Sequence, residues 1–174
     1  SRMVGLRDFG EAAWACEQLY NAHLAQSSRL DAPLRALTVE ALDYMGAWTE
    51  AIAAGRNEGH ASPAVVRAAD ALRLDGHRLP IAPPGVEAVT AVPLAAPAPA
   101  ASSGLEDDAE MREIFIEEAR EVVEAARASL AKLTDQPEDL GEMTAVRRAF
   151  HTLKGSSRMV GLRDFGEAAW ACEQ

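Results

Sequence analysis

Eighteen residues, SRMVGLRDFGEAAWACEQ, stand at 1–18 and recur unchanged at 157–174. Helix docking follows side-chain shape and spacing, so a groove that accepts the apolar side of one copy accepts the other equally well. In a single closed domain the two copies compete for one slot. Only the first copy runs on into further periodic sequence: Phe9, Ala12, Ala13, Cys16, Leu19, Tyr20 and Leu24 recur at three- and four-residue steps and predict a helix from about Asp8. The second copy, with the equivalent start at Asp164, directly follows another periodic segment.

That segment and the one before it are the clearest in the chain. Residues 108–133 carry Met111, Ile114, Phe115, Val122, Ala126, Leu130 and Leu133 on one stripe. After the turn TDQPED, Asp139 is placed to cap a helix, with Glu142 three residues on as the second half of a capping box. The helix then runs through Leu140, Met143, Val146, Phe150 and Leu153 and is expected to fade near Gly161. A further stripe, Leu34, Leu37, Ala41, Met45, Trp48 and Ile52, ends before Gly55. Residues 62–72 read as a shorter helix with Ser62 as N-cap and Pro63 at its first position.

Hydrophobic residues make up 48% of the chain but aromatics only 5%, and alanine is abundant, which favours packed helices over strands. Residues 76–104 are rich in Ala and Pro, nearly uncharged and without period, and read as a linker. Its 29 residues span roughly 30 Å as a coil, enough for the two halves to meet. The expectation is an all-α antiparallel four-helix bundle with one extra helix, its halves written in permuted order: 1–75, the linker 76–104, then 105–174. Copy 1–18 buries the longer stripe and is expected to fill the shared slot. Copy 157–174 is then displaced, or pairs with another molecule as in domain swapping. The duplication itself fits a tandem array or an engineered permuted chain.

A net charge of −10 argues against a nucleic-acid-binding surface, which needs clustered Lys and Arg. No apolar run reaches the ~20 residues of a membrane span. The two cysteines, Cys16 and Cys172, are one residue written twice, with no disulfide or metal-ligand spacing. Both are read as packing residues in a reducing, cytoplasmic setting. Trp14, Trp48 and Trp170 are expected to fill or border the core, His23 to be structural or superficial, and His60 and His77 to carry no pattern.

One residue stands apart. In AFHTLKGSSRMVG, residues 149–161, His151 is rotated about 100° from the Phe150 stripe, towards solvent. Arg147, Lys154 and Gly155 lie within one turn of it. Imidazole is nucleophilic near neutral pH, its ordinary pKa being about 6.5. A mobile ammonium at Lys154 would steady a phosphoryl group on the ring, and glycine at 155 clears room for a partner. From spacing alone, a solvated surface histidine is the simpler reading.

The motif resembles that of histidine phosphotransfer (HPt) domains, matching at His151, Lys154, Gly155, Ser156 and Gly161. The preceding MREIFIEEAREVVEAARASLAKL is similar to the family's first helix in CheA-like, chemotaxis-type kinases. The resemblance implies that 105–174 supplies helices one and two and 1–75 helices three to five. It makes His151 the phosphoacceptor, Lys154 the group that steadies the phosphate and Gly155 the point of access. It also implies the partners: a kinase ATP-binding domain holding ATP and Mg2+, and a receiver aspartate with its own Mg2+. No cofactor or metal is implied for this chain. With the Ala/Pro linker, the chain looks like part of the hybrid sensor histidine kinases that control type IV pilus twitching motility. It carries no Gly-rich kinase motif of its own, and one phosphoacceptor. The rival expectation is a docking or scaffold bundle whose histidine is never phosphorylated.

Overall fold

The computed structural model describes the backbone of residues 2–55, 59–84 and 105–172, and the side chains of 6–55, 59–84 and 109–159. Among these, all regular structure is helical: α1 (Arg2–Gln26), α2 (Ala32–Ala53), α3 (Ser62–Asp75), α4 (Leu105–Asp135) and α5 (Leu140–Cys172). Helix α1 packs on α5, α5 on α4 and α4 on α2, while α3 lies mainly against α1 and closes the ring beside α2. The all-α bundle with an extra helix is thus the observed fold. Most of residues 76–104 lie outside the described residues. Of those described, Leu79, Ile81 and Ala82 lie against the bundle, where the Ile81 amide donates to Glu40 Oε2 at 3.0 Å.

The predicted stripes become the core, with local adjustments. In α2, Leu34, Leu37, Ala41, Met45, Trp48 and Ile52 are all buried. Asp31 caps this helix through a 2.9 Å bond from the Leu34 amide, and Pro33 fits the first turn, where its missing N–H costs nothing. In α4 the buried face is turned slightly from the expected one. Phe115, Ile116, Ala119, Val123, Ala126, Leu130 and Leu133 are inside, whereas Ile114 is half exposed. Asp139 caps α5 through the amides of Gly141 and Glu142, at 2.9 and 3.1 Å. Glu142 instead takes a 2.8 Å bond from Lys132, binding the end of α4 to the start of α5. Ser62 is not the N-cap of α3: that position is Ala61, and the Ser62 hydroxyl donates to Glu11 Oε2 at 3.3 Å.

Two expected boundaries move. Helix α1 begins at Arg2 rather than near Asp8, and Leu6 is already buried. Helix α5 does not fade at Gly161 but continues to Cys172, for 33 residues. One glycine costs a helix about 1 kcal/mol, too little to stop it when helix formers follow. The same sequence is helical through Gly5 in α1.

Copy 1–18 occupies the slot. Phe9 is fully buried and meets Trp48 and Phe115 edge-on, each at a ring-centroid distance of 5.3 Å. Ala12, Ala13 and Cys16 complete its inner face, but Trp14 does not join them and is 49% exposed. Trp14 therefore departs from the expected core role. Trp170 and the Cys172 thiol lie outside the described side chains. Helices α1 and α5 run antiparallel and very close, since a Cβ on Gly10 would stand 2.5 Å from Ser157 Oγ.

His60, patternless in the sequence, lies flat on Trp48 with centroids 5.8 Å apart and edge-on to Tyr44. Both its ring nitrogens are buried and take no hydrogen bond from the described residues. Desolvation holds its pKa below 6.5, so the unfolded chain binds the proton more readily. Its contribution is therefore intact above about pH 6.5 and lost as pH falls below it. Urea unfolding is expected to show a drop in stability from pH 7 to pH 5 that His60→Phe reduces; an unchanged drop would remove His60 as its source.

Candidate functional site

The cap at Asp139 and the buried stripe Met143, Val146, Phe150 and Leu153 fix the rotation of α5. His151 is thereby turned outward, and its side chain is 65% exposed. It does not stand alone. Its Nδ1 lies 2.7 Å from Oε1 of Glu17, which reaches across from α1. The other Glu17 oxygen, Oε2, accepts a 2.5 Å bond from Lys154 Nζ. Glu17 is only 7% exposed and Lys154 14%.

The state of this carboxyl decides the ring tautomer. Burial pushes the Glu17 pKa up, but hydrogen bonds and charge from Lys154 and His151 outweigh that and hold it below the usual 4.5. Glu17 is therefore an anion at neutral pH and has only lone pairs to offer. The proton in the His151 bond must sit on Nδ1. In the neutral ring, Nε2 then carries the free lone pair and takes no hydrogen bond from the described residues.

Lys154 is consequently not the mobile charge its position suggested, because its ammonium is spent on Glu17. Arg147 is also engaged, donating to Asn21 Oδ1 at 3.1 Å. Of the basic patch expected around His151, the Lys154 charge is thus paired from α1, while Arg147 is held by a neutral amide and keeps its charge. A Cβ on Gly155 would find nothing within 4 Å. The contrast with Gly10 is informative: that glycine admits a neighbouring helix, whereas Gly155 keeps clear a surface facing outward.

Glu17 is the residue the sequence reading missed. Its signal was a carboxylate among Ala13, Cys16, Leu19 and Tyr20, on a face otherwise apolar. A buried acid needs a partner, and the partners lie more than 130 positions away in sequence. Cys16 is buried and its thiol pushed up to about 12, so it packs and does not react. His23 Nε2 donates to the Arg29 carbonyl oxygen, 2.7 Å away, just beyond the end of α1. His77 is exposed. Among the described residues no group of His, Cys, Asp and Glu is placed to hold a metal.

The Hpt domain family model matches residues 110–174. The matched span contains His151, Lys154 and Gly155. Neither the curated proteins nor the solved structures contain a match to this chain. The HPt match includes 157–174, whose sequence is identical to that of 1–18. In the folded chain that sequence packs on α5 as the first part of α1. Histidine phosphotransfer within a phosphorelay is what an HPt domain implies, and HPt domains act between kinase and receiver domains.

Proposed function

We propose that His151 takes a phosphoryl group on Nε2 from a kinase ATP-binding domain and passes it to the aspartate of a response-regulator receiver. The observation that carries this is the buried Glu17 anion on Nδ1, which leaves the nucleophilic lone pair on the exposed nitrogen. On uptake, the Nε2 lone pair attacks phosphorus, the N–P bond forms, and the donor's P–O bond breaks with its electrons staying on oxygen. The ring becomes cationic, and the Nδ1–H bond to Glu17 strengthens as it does so. In the second step a receiver carboxylate oxygen attacks phosphorus, the N–P bond breaks, and its electron pair returns to Nε2. ATP and Mg2+ belong to the kinase and Mg2+ to the receiver. Lys154 acts first by keeping Glu17 ionised, and Gly155 keeps the approach clear.

Phosphoramidate, a small N-phosphoryl donor, tests the reading without a cognate kinase. It should add one phosphoryl group, acid-labile and base-stable, that mass spectrometry maps to His151. Failure to label His151 would leave a docking bundle as the better account. Glu17→Gln is expected to slow uptake about 10- to 100-fold, since a hydrogen bond to a charged group contributes about 1.5–3 kcal/mol. A rate within twofold of the parent would remove Glu17 from the mechanism.

The narrower setting, a CheA-like kinase in type IV pilus signalling, is supported by the likeness of MREIFIEEAREVVEAARASLAKL and by the Ala/Pro-rich stretch. A cytoplasmic location belongs to the same reading; among the described residues no helix is long and apolar enough to cross a membrane. Faster labelling by a CheA-type ATP-binding domain than by an unrelated kinase domain would support that setting. Equal rates would count against it.

A further inference from the structure

The groove on α5 that holds residues 1–18 has a second claimant of identical sequence, 157–174. In the structure residues 157–172 of that claimant continue α5. A helix of 33 residues is roughly 50 Å long, and it cannot enter the groove on its own first half without breaking and reversing. It can enter the same groove on another molecule.

The register makes that entry mutual. Across the antiparallel α1–α5 contact, Gly10 lies against Ser157 and Glu17 against His151. The repeat transposes α1 positions by 156 residues, so the equivalent pairs are Gly166 with Ser157 and Glu173 with His151. The first pair is centred between Gly161 and Leu162 and the second on Leu162, half a residue away. Two α5 helices laid antiparallel in this register therefore meet about a two-fold axis at Gly161–Leu162. Each then presents its 157–174 to the groove of the other at the same time. An arbitrary register would have one helix served and the other not, and would build open chains.

We infer that this groove is an exchange site for the 157–174 segment of a second copy of the chain, forming a symmetrical swapped dimer in which that segment takes the place of 1–18 beside His151. Residues 1–18 leave as 157–174 arrives, and like contacts replace like. The closed form holds its segment by a covalent tether, with an effective concentration in the millimolar range, so it dominates in dilute solution. Anything that loosens 1–18 tips the balance towards exchange. The exchange itself does not depend on phosphoryl chemistry.

Disulfide trapping tests this, because the Gly10 Cβ position lies 3.6 Å from Ser157 Cβ, within disulfide range. In a chain with Cys16→Ala and Cys172→Ala, the pair Ser157→Cys and Gly166→Cys should oxidise to a covalent dimer. Peptide mapping should show 157 linked to 166, in a fraction that rises with protein concentration. The same crosslink within one chain would mean that 157–174 folds back on itself, and no crosslink would mean that it does not enter the groove; either overturns the proposal. Sedimentation equilibrium of chains with native cysteines gives an independent readout. Phe9→Ala, which weakens 1–18, should lower the dimerisation concentration about 100-fold or more. Phe165→Ala, the same change in the other copy, should raise it. Masses that ignore both substitutions would rule out exchange.

Discussion

His151→Gln is expected to abolish phosphoryl uptake while leaving the bundle standing. The ring is 65% exposed, so few packing contacts are lost. A glutamine amide can still donate to Glu17 Oε1, so the buried anion keeps a partner beside Lys154. Surface changes of this kind are usually within about 0.5 kcal/mol of neutral. Chemistry, by contrast, has no substitute, because an amide nitrogen offers no lone pair to phosphorus. Labelling with phosphoramidate and urea unfolding, done on the same sample, separate the two effects. Residual labelling at the parent rate would place the phosphoryl group elsewhere. A large loss of stability would show that His151 holds α1 to α5 rather than serving a partner.

Phe9→Ala is expected to cost about 3–5 kcal/mol of folding stability, measured by urea unfolding in dilute solution. The ring has no exposure and lies edge-on to both Trp48 and Phe115. Truncation leaves a cavity between α1, α2 and α4 and removes two aromatic pairs, each contributing about 0.5–1.5 kcal/mol beyond area. A loss below about 1 kcal/mol would mean that 1–18 is not what fills the slot. The site follows this packing, because Glu17 is two turns beyond Phe9 on the same helix and reaches His151 only while α1 stays seated. Phe9→Ala should therefore slow phosphoryl uptake wherever it frees α1, although Phe9 touches nothing in the site.

Much of this was legible in the residues themselves. The stripes of α2 and α5, the cap at Asp139, and the outward rotation of His151 beside Gly155 all arise from interactions within a turn or two. Local sequence carries that information. Where local rules misled, a distant contact was responsible. Lys154 has the spacing of a free cation, yet a carboxylate 137 positions away holds it. Trp14 has the composition of a core residue, yet it faces outward because its helix is turned to bury Phe9, Ala12, Ala13 and Cys16. Ser62 looks like an N-cap, but its hydroxyl is taken by Glu11 across the α1–α3 contact.

The repeat marks the limit most sharply. By itself the sequence determined that the repeat would be helical from about Asp8, that its apolar stripe would seek a core, and that one imidazole would stand clear of it. Nothing local distinguishes Glu17 from Glu173 or Phe9 from Phe165, since each pair has identical neighbours through most of its turn. The run-on into Leu19 and Tyr20 pointed to the first copy, and the tertiary structure seats it, because a longer stripe buries more apolar surface against α5 and α3. Only the tertiary structure decided that this seating brings a carboxylate to His151, while residues 157–172 extend α5.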